Sequence, residues 1–226
     1  MAERLASWVW IGAAALACVA GIVNVVGFLG FEHQAISHLT GNTSLLSAAL
    51  VNGDGHATAH LAASIAAFVG GAVLSGLIIQ DSTLRLGRRY GVVLTIEALL
   101  LLAAVPFFQH RQFAGALCAA MACGLQNAMA TTYSGAVVRT SHVSGMFTDL
   151  GIMLGHALRG MAVPQRRLGL CVVVIVFFFA GGVLGAILFT RFQYDALYLP
   201  AAMTGISGVA YMAYRQHQNM AGGSTP

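Results

Sequence analysis

Long apolar runs separated by short polar joints limit this chain more than any other feature. A bilayer core about 30 Å thick takes roughly 20 helical residues. On that ruler six stretches qualify, at about 8 to 30, 57 to 80, 91 to 108, 113 to 133, 168 to 190 and 195 to 214. Of the 226 residues 58% are hydrophobic and only 8% charged, whereas an ordinary soluble domain carries about 25% charged residues. So few charges do not solvate a globule of this size, and lipid must cover most of its surface. The expected fold class is all-α integral membrane.

Two further stretches, about 40 to 52 and 144 to 160, are helix-like, rich in small residues and too short to span. Each follows one copy of a polar pentapeptide, Ser37-His38-Leu39-Thr40-Gly41 and Ser141-His142-Val143-Ser144-Gly145, which lie 104 positions apart. They read as re-entrant or broken half-helices. The repetition extends upstream, because Gly21-Ile22-Val23-Asn24 matches Gly124-Leu125-Gln126-Asn127 at a distance of 103 positions. Repeat one then covers about 8 to 109 and repeat two about 112 to 215, in a single membrane domain over 1 to 226 with a flexible C-terminal tail at 216 to 226. Each half reads as long span, polar break, short helix, span, span. Three full spans per half is an odd number, which turns the second copy upside down relative to the first. The expectation is six transmembrane helices plus two half-helices in an inverted 3+3 repeat, a plan that places binding sites near the midplane between the copies.

All eleven basic residues are arginines. If both short helices return to the side they entered from, one side holds Arg4, Arg85, Arg88, Arg89, Arg139, Arg159, Arg166, Arg167 and Arg215, and the other only Arg111 and Arg191. That split satisfies the positive-inside rule with both termini cytoplasmic. The sequence pI near 9.1 therefore marks orientation; the arginines form no stripe of the kind that binds nucleic acid. Arg4 before an apolar run imitates a signal peptide, yet the run continues past Cys18 to about Phe31, which suits a retained span. Cys18, Cys118, Cys123 and Cys171 lack metal-ligand spacing and read as small packing residues. Gly151 with Gly155, and Gly181 with Gly185, have the spacing of small-residue contacts between membrane helices.

A polar motif inside a membrane segment must be buried in protein or line a cavity. Thr40 or Ser44 suits a helix cap, Gly41 and Gly145 permit close backbone approach, and two helix N-termini meeting near the middle would favour an anion or a polar head. The candidate substrate-binding set is Asn24, His38, Thr40, Gly41, Asn42, Thr43, Asn127, His142, Ser144, Gly145, Thr148 and Asp149. Asn24 and Asn127 either hydrogen-bond within the protein or orient a solute. His38 and His142 titrate near neutral pH and are candidates for proton coupling. Asp149 is a helix-dipole partner, a counter-ion of Arg139 or a proton carrier. A competing reading makes both motifs helix-breaking turns whose hydroxyls satisfy the backbone. Glu32, His33 and Gln34, with the stretch 52 to 56, belong to a solvated mouth. Glu97, about a third of the way into its span, either is satisfied inside the bundle or marks a proton path.

The Gly21-x-x-Asn24 element, Thr40-Gly41-Asn42-Thr43, Gly124-Leu125-Gln126-Asn127-Ala128 and Val138-Arg139-Thr140-Ser141-His142-Val143-Ser144-Gly145 together resemble the YoaK-like bacterial inner-membrane proteins. The resemblance spans nearly the whole chain, with Ser144 where members often carry Thr. It implies a six-span architecture and an inner-membrane location, and it names no substrate.

The functional expectation is a transporter of a small polar or anionic solute held between the two short-helix starts, with proton coupling as an option. A solute channel with two facing re-entrant helices, or a non-transporting scaffold or assembly subunit, is the alternative. The expected partners are the lipid bilayer, the solute and further copies of the chain. No nucleophile with its base and no metal constellation stands out, so neither an enzyme nor a cofactor is expected.

Overall fold

The computed structural model describes residues 7–30, 36–79, 88–133 and 140–222. Eight α-helices lie within them: α1 (Ser7–Gly30), α2 (Leu39–Val51), α3 (Gly55–Ile78), α4 (Arg88–Gln109), α5 (Ala114–Tyr133), α6 (Val143–Leu158), α7 (Gln165–Phe192) and α8 (Tyr198–Gly222). A 3-10 turn, Gln193–Leu197, joins the last two. The chain is an all-α membrane protein. Four stretches are long and apolar enough to cross a bilayer: Val9–Gly30, Gly55–Ile78, Arg89–Gln109 and Gln165–Tyr214, the last containing both α7 and α8. Helix α5 falls outside this set, since Gln126, Asn127, Thr131 and Thr132 dilute its apolar character.

The helices pack as α1 on α7, α3 on α5 and α4 on both α5 and α8, while α2 lies on α3 and α6 on α7. Glycine allows two of these pairings to reach backbone contact. A Cβ added at Gly21 would lie 2.1 Å from the Phe178 carbonyl oxygen, and one at Gly181 would lie 2.1 Å from that of Cys18. In the α3/α5 pair, a Cβ at Gly124 would lie 1.9 Å from the Phe68 oxygen and one at Gly71 2.0 Å from that of Met121. These are the same contacts written twice. Cys18 and Gly21 recur 103 positions on as Met121 and Gly124, and Phe68 and Gly71 recur 110 positions on as Phe178 and Gly181. Lipid tails are as apolar as the helices, so close van der Waals approach must drive association in place of hydrophobic burial.

Contacts along the pairs fix their directions. Cys18 meets Gly181 and Ile22 meets Gly185, so α1 and α7 run the same way. His60, in the second turn of α3, stacks at 3.9 Å on Phe113 just before α5, which starts α3 and α5 at one end. Gly91 meets Met212 and Ala98 meets Gly205, so α4 and α8 run oppositely. Tyr194 bonds the Gly30 carbonyl and stacks on Phe108 at 4.9 Å, bringing the ends of α1 and α4 to the end of α7. Thus α1, α4 and α7 run against α3, α5 and α8. Arg88, Arg89, Arg159, Arg166 and Arg167 gather at one end, hereafter the arginine-rich end, against Arg111 and Arg191 at the far end. Arg4, Arg85 and Arg139 lie outside the described residues.

Gly181 and Gly185 sit at the α1/α7 contact as their spacing predicts, but Gly151 and Gly155 are exposed with open space around them. Helix α6 packs mainly on α7, and among the described residues nothing lies against its Gly151 and Gly155 face. Replacing Gly21 or Gly124 by Ala forces backbones apart and is expected to destabilise the fold by about 1–3 kcal/mol. Gly70→Ala and Gly76→Ala, at sites with open space, should stay within about 0.5 kcal/mol of the parent. Thermal unfolding in detergent micelles reads both.

Candidate functional site

The polar breaks are built by the asparagines upstream of them. The Asn24 Oδ1 accepts from the Ser37 backbone N–H at 3.3 Å and from the Ser37 hydroxyl at 2.9 Å. Its counterpart repeats the arrangement: the Asn127 Oδ1 accepts from the Ser141 N–H at 3.3 Å and the Thr140 hydroxyl at 3.1 Å, and its Nδ2 donates to the Ser141 hydroxyl. Each asparagine stands six residues before its helix end, about 9 Å along the axis. The chain therefore folds back into the molecule before the short helix begins. Asn24 and Asn127 each hold one backbone N–H of the break together with the hydroxyls beside it.

The short helices start at Leu39 and Val143, with His38 and His142 as N-caps that make no side-chain capping bond. Thr40 and Ser44, expected as caps, lie inside the first two turns of α2. The Ser44 hydroxyl donates to the Thr40 carbonyl at 3.1 Å, Thr43 to Leu39 at 2.8 Å, and Thr148 to Ser144 at 3.0 Å. Such back-bonding satisfies the donor within its own helix, on faces that are exposed at Thr40, Gly41, Thr43, Ser144 and Thr148. Asn42 is buried, at the position where α6 carries buried Met146. The His38 ring meets the edge of Phe178 at 6.3 Å. The His142 ring lies over Gly145, where a Cβ would come within 2.3 Å of it. Asp149 pairs with Arg167 at the start of α7, 3.0 Å from both carboxylate oxygens; the expected partner Arg139, like Glu32, His33 and Gln34, lies outside the described residues.

These residues form two groups. Helices α2 and α6 make no contact with each other. The Gln126 amide donates to the Leu16 carbonyl at 3.3 Å, so Asn127 stands level with the Leu16 turn of α1, roughly 12 Å along the axis from Asn24. The two asparagine clamps are thus offset along the bundle, and α2 and α6 do not meet.

A cavity of about 460 Å³ lies elsewhere, between α1, α4, α5 and α8 at the arginine-rich end. Ala13, Leu16 and Val19 of α1, Leu94 of α4, and Met129 and Ala130 of α5 make its walls, and α8 adds Met203 and Ile206. Hydroxyls are its polar features: Thr140, Thr204, Ser207, Tyr90 and Tyr211. Thr140, one residue before the second pentapeptide, ties that break to the cavity, and none of the twelve residues expected from sequence lines it. The same space at the far end is filled. Ala116, Ala119 and Ala122, 103 positions after Ala13, Leu16 and Val19, are packed in one core with Val26, Ile36, Phe108, Phe189 and Leu197. Ile36 occupies there the place that Thr140 holds at the cavity, 104 positions on. Sequence carried little sign of this wall, because Ala, Leu and Met suit any membrane helix. Among the described residues no group of three or more His, Cys, Asp or Glu side chains is placed to hold a metal ion.

The asparagine clamps make a distinct mutational forecast. Asn24→Leu or Asn127→Leu leaves a buried N–H without its acceptor and should cost about 1–3 kcal/mol in detergent unfolding. Thr43→Val and Thr148→Val, on exposed faces, should change stability by about 0.5 kcal/mol or less. Equal losses in both sets would remove the clamp as the reason the asparagines are there.

The family model described as "Protein of unknown function (DUF1275)" matches residues 12–210. No curated protein and no solved structure matches the chain.

Proposed function

The chain belongs to this DUF1275 family, and from that premise we propose that it is a membrane transporter of two inverted halves whose solute occupies the cavity between α1, α4, α5 and α8. The observation that carries the reading is the unequal filling of equivalent places. Positions 103 residues apart line an open cavity at one end of the molecule and a closed core at the other. Alternating access in an inverted repeat calls for such a pair, one vestibule open while its counterpart is shut. Opposite running directions in α1 and α5, α3 and α7, and α4 and α8 support the inverted relation. The arginine-rich end is then cytoplasmic, in a bacterial inner membrane, with both termini on that side; this fits a YoaK-like protein.

The chemistry of the wall sets the solute class. Apolar side chains with a few hydroxyls suit an apolar or amphipathic small molecule, more than the small polar or anionic solute expected from the motifs. Proton coupling through His38, His142 or Asp149 has little geometric support: the histidines lie away from the cavity, and Asp149 is paired with Arg167. A non-transporting scaffold calls for breaks satisfied internally and no cavity. Ser37, Thr140 and Ser141 are satisfied by the two asparagines, but the cavity favours transport.

Gly12 lines the cavity, and a Cβ there meets nothing within 4 Å, so Gly12→Phe fills the space without a backbone clash. Amphipathic solutes should raise the unfolding temperature of the purified parent, by about 2.7 kcal/mol of stabilisation at 100 times Kd. Those hits should enter proteoliposomes in saturable fashion, and Gly12→Phe should lose both effects at least ten-fold. Stabilisation confined to small polar anions and indifferent to Gly12→Phe would sink this assignment; non-saturating flux would turn it into a channel.

A further inference from the structure

We propose that Glu97 is a proton-binding site of the membrane interior, loaded and unloaded through the cavity from the arginine-rich end. This rests on the transport reading, and it supplies that reading with a coupling ion.

Glu97 is 2% exposed, and its Oε2 has no hydrogen-bond partner. It stands at the middle of α4, nine residues after Arg88 and twelve before Gln109. A carboxylate without an ion-pair partner at that depth is costly, so the group is held as the neutral acid, and an ionisable residue inside a span marks a functional site by default. Among the described residues its surroundings offer no counter-charge. From α5 the titratable group that faces it is the Cys123 thiol. Helix α8 carries no ionisable side chain between Tyr198 and Tyr211 and packs against this part of α4 through Gly205 and Gly208. The ionisable residues of α3, His56 and His60, belong to its far-end start, as do Tyr194 and Asp195 in the 3-10 turn. No described Arg lies within a turn of the middle of α4 along the chain.

Position makes this acid more than a burial accident. Tyr90 and Leu94 of α4 line the cavity, and Glu97, buried just beyond that lining, follows Leu94 by three residues on the same helical face, so a proton reaches it by way of water entering past Leu94. One turn further, Leu101 already belongs to the closed core, followed by Ala104, Val105 and Phe108. Glu97 thus sits at the boundary between the open and the shut half. The step is a simple acid dissociation: the carboxyl O–H bond breaks, a cavity water takes the proton as hydronium, and the carboxylate remains. Reprotonation runs in reverse from the same compartment. Neutralising the acid lets the site cross between open and shut surroundings, and a bare carboxylate opposes that passage.

An apolar carbodiimide tests this, because it adds to a carboxyl only while that group keeps its proton, with the whole reagent retained on the protein. The full chain is reconstituted in vesicles of known orientation, the pH is set separately on each side, and the adduct on the α4 peptide is followed by mass spectrometry. Glu97 should be labelled with both sides near neutral, and Glu97→Gln should abolish the adduct. The rate should fall as the arginine-rich side is made alkaline, approaching ten-fold per pH unit once the acid is mostly ionised, and should ignore the far side. Plugging the cavity with Leu94→Trp, or with Met203→Phe if the first variant folds poorly, should remove that pH response. A rate that ignores both compartments identifies a sealed structural acid and overturns the proposal, as does a rate that follows the far side. Loss of solute uptake hits alongside a preserved pH response would discard the transport reading and keep the proton site; the converse result discards the proton site alone.

Discussion

Backbone that leaves the helix inside a membrane has no water to bond, and the architecture follows from how this chain meets that demand. Asn24 and Asn127 accept from the backbone N–H groups of Ser37 and Ser141, which pins each short-helix start against the long helix before it. The turn sets where α2 and α6 lie, α2 against α3 and α6 against α7. An asparagine suits this task because it is neutral and offers both an acceptor and donors on one short stem. Aspartate would add a charge, and leucine would leave the N–H orphaned.

The second demand is cohesion among helices that gain little by hiding from lipid. Gly21 with Gly181, and Gly124 with Gly71, meet it by letting carbonyl oxygens come where a Cβ would stand. The pair α4 and α8 uses Gly91 and Gly208 in the same manner. Each of the three tight pairings contributes to the group of α1, α4, α5 and α8, and between these four helices lie both the cavity and the filled core.

Much of this was legible in the residues. Hydropathy located the six long helices and both short ones within a few residues, because a bilayer imposes length as well as composition; the exception is the end of α8, which continues to Gly222 through the polar stretch expected as a tail from 216. The repeat was visible in α1, α5 and the pentapeptides, where polar residues in apolar surroundings stand out. In α3 and α7 the correspondence survives at Phe68 and Phe178 and at Gly71 and Gly181, too sparse to read before the contacts were known. The site was less legible. Polar motifs drew attention to α2 and α6, yet their hydroxyls bond their own helices, and the asparagines bond the backbone. Which way an asparagine turns depends on a segment thirteen residues later folding onto it, and no local pattern encodes that. The cavity is written in residues that look like ordinary packing.

Near-equivalent halves need not fill their spaces equally, and the side chains explain why this conformation is the one seen. At the far end Ile36 reaches against Gly27, while Phe108 stacks on Tyr194 and Phe189 meets the same ring edge-on at 5.5 Å. Rigid rings with matched neighbours close that half at low entropic cost. At the arginine-rich end the counterpart of Ile36 is Thr140, whose hydroxyl already donates to Gln126 and Asn127, and the counterpart of Gly27 is Ala130, which refuses so close an approach. Closure there must rely on Met129 and Met203, flexible side chains that fill gaps without fixing a geometry. Under the transport reading the two closures are therefore unequal in free energy, the aromatic one being the more favourable. Under the transport reading a solute in the cavity supplies the missing packing at the arginine-rich end. It can shift the balance only by the difference in its fit to the two states.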